Sequence, residues 1–466
     1  MDLLFRFFNY LFICFENYFI RIYDRICRIF VLTIMLFMSP SCGTVDIQSP
    51  LKGSSRATAY HDSDKMVNTK DYLFVTYLQH RIGDELVIVR RYNKSSKTWD
   101  QTSTLGVAKD DHGGGALVID SQGYLHIVYG SHNSPLYYKK SQSAYDVNSW
   151  STPLEISGNL TYPSLVINKN DDLFLAARND IIGGSWSVRL FKKSSLSKSW
   201  DKGKDIITSD YLKWKKAYGK SSMFVSNGYA RFGKYLSVNH KNELHLTFHY
   251  FEYVPKKIKT FANNKVNSST HFVSHTFSKD LGHSWSKENG DFSIEPISLK
   301  DISIISGNND PSKVDCNYSA GQHFYKDGKI YLFFSKHYGI ETTLHLASSS
   351  FPYKFWEEIE ILNDDYYLRA PVAASQGTRT IFAVNAIPKD VYVNGRPPAN
   401  LPLKSKIIIG ELDLTSLNVK WNDNNMVVNP SWLPQLSNEY KGDIWYMVTQ
   451  GARESNDTNV IINKVK

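Results

Sequence analysis

The chain has 466 residues, with 54 Lys and Arg against 45 Asp and Glu, a formal net charge of +9. Aromatic residues at 14% and charged residues at 21% exclude a disordered chain, and the length allows a substantial core without a disulfide scaffold. The 29 Tyr, 25 Phe and 10 Trp favour strands over helices, and the basic excess points to an anionic partner: nucleic acid, a membrane surface or an acidic polysaccharide.

Residues 1–42 read as a leader rather than a domain. Phe, Leu and Ile dominate, and the clean apolar run, Ile29 to Met38, is shorter than the ~20 residues of a membrane span. Basic residues, a short apolar core and the small residues Ser39 and Ser41 fit a secretory signal. Cys42, followed by Gly43 and Thr44, resembles a bacterial lipoprotein site. The expected location is therefore outside the cytoplasm, secreted or periplasmic, or held at the cell surface by a lipid on Cys42. Export makes nucleic acid an improbable partner and leaves the lipid anchor as the one membrane contact. Cys14, Cys27 and Cys42 all fall in the leader, so Cys316 has no disulfide partner in the body.

From residue 50 to 466 the pattern is that of one all-β domain. Period-two apolar runs predict strands over Asp71–Gln79, Glu85–Tyr92, Gly115–Asp120, Tyr124–Tyr129 and Leu136–Ser141, separated by turn residues. A repeat is visible in turns that end at Trp99, Trp150, Trp200, Trp285, Trp356 and Trp421. The first two spacings are 51 and 50 residues, and the later ones are longer. Several strands per unit at this period predict a β-propeller, and about seven blades fit the length. Ser278-x-Asp280-x-Gly282-x-Ser284-Trp285 is a full Asp-box, in which the carboxylate bonds local N–H groups while the Trp packs between strands. It resembles the repeat of bacterial neuraminidases and marks a rim turn, not a reaction.

Four polar residues in consecutive repeats are candidates for chemistry: His112 before three glycines, His132 in a loop before a strand, Tyr162 before Pro163, and Arg178 ending an apolar strand. His, Tyr and Arg with no obvious carboxylate partner suit β-elimination from a uronic acid. That reaction needs a cation on the substrate carboxylate, a base for H5 and an acid for the leaving O4. Typical glycosidases need two carboxylates instead.

The stretch HGGGALVIDSQGYLHIVYGSHNSPLYYKKS resembles the BNR-repeat propellers that include the ulvan lyases of polysaccharide lyase families 24 and 25. Tyr162 and Arg178, 16 residues apart, match that family's order and spacing. The resemblance implies a seven-bladed propeller, a lyase cleaving a sulfated rhamnose–uronic acid polysaccharide, and 4,5-unsaturated uronyl ends on the products. It implies His112 and Tyr162 as the base and acid, Arg178 neutralising the carboxylate with help from His132, and Tyr229 and Arg231 contacting substrate. It also implies a structural zinc away from the reaction, for which His271, His283 and Cys316 are candidate ligands and His249, His275 and His323 are rivals. No organic cofactor is expected, and the expected state is a monomer. A sialidase-like glycoside hydrolase and a non-catalytic glycan-binding propeller are the alternatives.

Overall fold

A computed structural model describes residues 51–181, 185–209, 230–252, 269–308, 316–363, 366–376, 379–389, 405–421, 427–428, 430–438, 443–452 and 455–465. The leader expectations, including Cys42, and the substrate-contact residue Tyr229 lie outside the described residues. Residues 50–466 form one compact unit. Its described residues contain thirty-one strands, β1–β31 in chain order, and no α-helix. The strands expected from period-two patterning are there: β3 (Tyr72–Arg81), β4 (Asp84–Asn93), β6 (Ala116–Ile119), β7 (Leu125–Tyr129) and β8 (Ser134–Lys140).

The sheets are antiparallel meanders with strands side by side in chain order, apart from β18 (Ile297–Ser298), which pairs in parallel on β12 (Lys204–Thr208), and β1 (Leu51–Gly53), which joins the last sheet. β2 (Met66–Asn68) to β5 (Thr98–Ala108) make one sheet, and β20 (Asn317–Lys326) to β23 (Glu357–Asn363) another. β13 (Ala230–Val238), β14 (Leu244–Glu252), β15 (Ser269–Ser278) and β19 (Ser303–Gly307) make a third. β24 (Tyr366–Gln376) begins a fourth, and β29 (Ser431–Leu436) a fifth that ends on β1 (Leu51–Gly53). An eight-stranded sheet runs from β6 through β9 (Leu154–Ile167) and β10 (Leu173–Ile181) to β12 (Lys204–Thr208) and β18 (Ile297–Ser298). β1 pairs with β31 (Thr458–Lys464), Leu51 opposite Val460, so the beginning of the unit completes its last sheet.

The strands β2, β6, β13, β20, β24 and β29 that begin their sheets, together with β9, neighbour one another in the order β2, β6, β9, β13, β20, β24, β29. The segment Ser54–Lys65 shows what they enclose. Thr58 donates to the Leu433 carbonyl, and Gln435 donates back to the Thr58 carbonyl. Gln322 donates to the His61 carbonyl, Tyr235 to Asp64, and Lys65 to the Gly115 carbonyl. One segment reaches β29, β20, β13 and the start of β6 because these strands surround it.

Each sheet is apolar on both faces, and each large cluster of buried side chains joins consecutive sheets. Phe74, Val87 and Leu105 meet Leu117, Leu125 and Ile127. Tyr331, Phe333 and Leu346 meet Leu368, Phe382 and Ile408. Leu73, Val75 and Ile88 meet Met447, Val460 and Ile462, which packs the first sheet on the last. The repeated tryptophans cement these joints: Trp99, Trp150, Trp200, Trp285 and Trp356 each pack on a cluster shared with the preceding strands. The Asp-box has the expected geometry. Asp280 Oδ1 accepts from the Ser284 N–H at 2.9 Å, its Oδ2 accepts from Ser284 Oγ at 2.6 Å, and Trp285 is buried.

Phe333 is fully buried and stacks on Phe382 with ring centroids 4.8 Å apart. Phe333→Ala leaves a cavity between two sheets and is expected to cost about 3–5 kcal/mol of stability. Denaturant unfolding measures it, and a loss within ordinary surface-mutation size would contradict this packing.

Candidate active site

The site lies where β6, β8 and β9 begin to approach the axis. The glycines after His112 serve backbone approach: a Cβ on Gly113 would sit 2.7 Å from the Ala108 Cβ and 3.0 Å from the Gly130 carbonyl carbon. Two backbone bonds link this turn to the loop before β8, Gly130 N–H to Gly113 O and Lys109 N–H to Gly130 O, both 3.0 Å. His112 and His132 are thereby brought face to face, stacked with centroids 4.2 Å apart.

Tyr162 is placed by a bulge. Between Ala176 and Arg178 the register of β9 on β10 shifts, and the two residues Tyr162 and Pro163 oppose Ala177 alone. Tyr162 takes φ 56°, in the left-handed region that a bulky residue adopts only when its surroundings enforce it. The same device recurs on two other first strands, at Ala370-Pro371 (φ 49°) and Leu433-Pro434 (φ 55°). At this bulge Lys234, itself buried, donates to the Tyr162 carbonyl. The Tyr162 ring stands 5.8 Å from that of His112.

Four of the expected residues are therefore together. Arg178 is fully buried behind Tyr162. Its guanidinium lies 4.9 Å from the Tyr162 ring centroid and 4.3 Å from that of Trp186. Its Nη2 donates to Asn133 Oδ1 at 2.8 Å and Thr161 Oγ1 at 3.1 Å. Arg231 lies on β13 opposite Phe251.

The expectation of a site without carboxylates needs correction. Asp110 and Asp111 precede His112 directly and both bond it: His112 Nδ1 is 3.0 Å from Asp110 Oδ1 and 2.9 Å from Asp111 Oδ1. Asp110 Oδ2 takes His132 Nδ1 at 2.5 Å, so one carboxylate clamps both imidazoles. Burial opposes ionisation of Asp110, but the bonds from His112 and His132 overcome it and hold the carboxyl far below its usual range. Asp111 is held down similarly, against burial, by His112 and Arg56. Burial lowers the His112 pKa, yet its bonds to Asp110 and Asp111 and their charges prevail and raise it.

Two further residues escaped the sequence reading. Arg56 Nε is 3.1 Å from Asp111 Oδ2, and its Nη1 is 3.2 Å from His112 Nε2 and bonds the Tyr60 hydroxyl. Tyr60 stacks on His112 at 5.5 Å and meets Tyr162 edge-on at 5.1 Å. A guanidinium only donates, so in neutral His112 the lone pair is on Nε2 and the proton on Nδ1. The acidic pair was visible in KDDHGGG, whereas nothing local marks Arg56 or Tyr60, which arrive with the axial segment.

The zinc candidates are not gathered. His271 is buried near the start of β15, and burial lowers its pKa to about 3. His283 is exposed in the Asp-box turn beyond the other end of that strand, and Cys316 is buried against Val273 and Tyr318. Of the rivals, His275 lies 3.1 Å from His245, His249 Nδ1 accepts from the Ala320 N–H at 3.1 Å, and both ring nitrogens of His323 are taken by Ser237 and Thr247. Among the described residues, the His, Cys, Asp and Glu groups close enough to share an ion are Asp110, His112 and His132. Their donor set would suit a transition metal, but the Arg56 guanidinium against His112 disfavours a cation there.

Asp110→Asn removes a charge that raises His112. The His112 titration should move to lower pH, and the corresponding limb of any pH–activity profile should move with it. Histidine NMR titration reads this, and an unmoved His112 pKa would contradict the clamp.

A sequence profile of BNR repeat-containing family members matches residues 72–363. An ulvan lyase of Nonlabens ulvanivorans is 25% identical over 138 residues, 24% of this chain and 29% of that protein. An ulvan lyase of an Alteromonas species, strain LOR, is 27% identical over 137 residues, 24% of this chain and 28% of that protein. The alignments thus span less than a third of those relatives. A solved ulvan lyase of polysaccharide lyase family 25 superposes with a TM-score of 0.64 at 12% identity, covering 89% of this chain and 94% of that one. A second structure, described as bound to -[GlcA(1-4)Rha3S]-, gives 0.63 at 12% identity, with the same coverage of both chains. At this identity the likeness is one of fold.

Proposed function

The chain belongs to the BNR repeat-containing family, and from that premise we propose that it is an exported polysaccharide lyase. Its substrate is a sulfated rhamnose–uronic acid polysaccharide of the ulvan type, cleaved by β-elimination on a seven-bladed propeller. The blade number is supported by β9, which pairs with β8 through Leu154–Leu160 and with β10 through Leu160–Ile167. The eight-stranded sheet is then two four-stranded blades sharing the long strand β9, with the short β18 added in parallel on β12.

The observation that carries the reading is the junction of His112 and Tyr162, two proton-transfer groups on one face of an ion-paired cluster. The neighbouring carboxylates favour this over glycoside hydrolysis. A hydrolase acid must be protonated at working pH, and Asp110 and Asp111 are both held ionised by their partners. They act instead on His112, fixing its ring and tautomer.

In the proposed reaction one of the pair His112 and Tyr162 removes the proton from C5. The electrons of that C–H bond form the C4–C5 double bond, and the C4–O4 bond breaks. The other residue protonates the departing O4, so protons and electrons balance with no water consumed. Which residue serves as base depends on the C5 configuration, because glucuronate and iduronate present this proton from opposite faces. Arg178 stacks behind the Tyr162 ring and fixes its position. His132 holds Asp110 in place.

Tyr162→Phe keeps the ring and its contact with Arg178 but removes the ionisable hydroxyl. Incubated with ulvan, this variant should lose at least ~100-fold in formation of the ultraviolet-absorbing unsaturated product. Full activity would remove Tyr162 from the reaction, and no such product from the unmodified protein would overturn the lyase reading.

A further inference from the structure

A basic, aromatic recess that the proposed reaction does not use lies at the other end of the ring. His132 shortly precedes β8, the third strand of its meander, so the reactive groups sit where third strands begin. Neighbouring meanders run in the same sense, because Lys234 bonds Tyr162 and, two residues on in each strand, Leu236 bonds Ser164. Phe277 and Lys279 stand at the far end of β15, and residues 351–354 follow β22 (Glu341–Ser350), both third strands of their sheets. These two turns line a recess of about 420 Å³, its open mouth included.

The lining combines two kinds of surface. Phe292 and Phe351 are 40% and 53% exposed, and each meets the buried Phe277 edge-on, with centroids 5.3 and 6.2 Å away. Isolated exposed apolar residues are ordinary, but two such rings in one recess form a patch. Lys279 Nζ lies against both, 4.2 Å from the Phe351 centroid and 5.4 Å from that of Phe292. Among the described residues neither Lys279 nor Lys287, which also lines the recess, has an acidic partner. Nearby carboxylates are engaged in their own turns, Asp280 by Ser284 and Asp291 by Asn289. Lys354 donates to the Asn289 carbonyl at 2.6 Å and ties the two turns together. The lining thus sets Lys279, Lys287 and Lys354 against Glu288 alone.

A sugar unit bearing sulfate or carboxylate offers the matching pair of surfaces. Its C–H face packs on aromatic rings, and its anionic group accepts from ammonium donors. We propose that this recess is a second saccharide-binding site, on the face away from the reaction, where Phe351 and Phe292 pack on a sugar ring and Lys279 and Lys287 receive its anionic group. The proposal takes its ligand class from the lyase reading and needs none of its bond-breaking chemistry. A polymer held there raises the local concentration of cleavable units at the reactive face.

The test measures retardation in native gels with and without ulvan, using the Tyr162→Phe protein alone and carrying Phe351→Ala, Lys279→Met or Lys169→Met. Lys169 is an exposed lysine in the turn between β9 and β10, at the same end of the ring. Phe351→Ala and Lys279→Met should each weaken binding about fivefold, the worth of one exposed contact of this kind, and Lys169→Met should not. In the active protein the same two substitutions should lower kcat/KM on long ulvan by a similar factor and leave that on short oligosaccharides unchanged. Removing both sulfates and carboxylates from the polymer should abolish the effect of Lys279→Met, and an undiminished effect overturns the proposal. A merely structural role, or a protein partner for the patch, would leave retardation and polymer kinetics unchanged, the former with a lower Tm; either overturns it. So does an equal loss in Lys169→Met, which marks general charge. A protein that binds ulvan through Phe351 and Lys279 yet releases no unsaturated product contradicts the lyase reading and leaves this site standing.

Discussion

A meander of four strands with two apolar faces cannot be stable alone, because each face needs a neighbour. Every other feature of this fold follows from that requirement. Consecutive sheets share their buried clusters, and the last sheet borrows β1 from the start of the unit, so both ends of the unit are tied to the same strand set. The turn tryptophans fill the joints. A ring built this way has an axis, and the polar segment Ser54–Lys65 occupies it by bonding to strands of three sheets and to Gly115 just before β6. Burial there has an electrostatic consequence. It raises the pKa of Asp64 to about 6 and lowers that of Lys65 to about 7, each partly offset by its neighbours.

The same architecture explains how reactive groups are gathered. First strands converge on the axis, and bulges at X-Pro pairs turn single side chains out of the ladder there. In two sheets the left-handed residue is Ala370 or Leu433, neither of which can titrate; in the third it is Tyr162. One structural device thus carries different residues in different sheets, apolar in two and an ionisable tyrosine in the third. Asp110 then links two loops electrostatically, and its clamp on both histidines keeps the groups oriented before substrate arrives.

Much of this was legible in the sequence. Period-two patterning located β3, β4, β6, β7 and β8 within a few residues, and the tryptophan turns marked the joints. His112, His132, Tyr162 and Arg178 were readable as one group from their residue types and their order along consecutive repeats. Asp110 and Asp111 stand directly before His112, but only the fold shows that both face it. Arg56 and Tyr60 could not be read, because they come from a segment with no strand pattern that reaches the site by tertiary packing. The proposed zinc trio failed to assemble for a related reason. Composition identified suitable ligand types, but β15 separates His271 from His283 along its length.

The central claim is that the bond is broken by elimination and not by addition of water. The most direct measurement is mass spectrometry of the products formed from ulvan in isotopically heavy-oxygen water. The account predicts oligosaccharides lighter by one water than hydrolysis products, unsaturated at the new uronyl end and free of heavy oxygen at the cleaved bond. Saturated products carrying heavy oxygen there would contradict it.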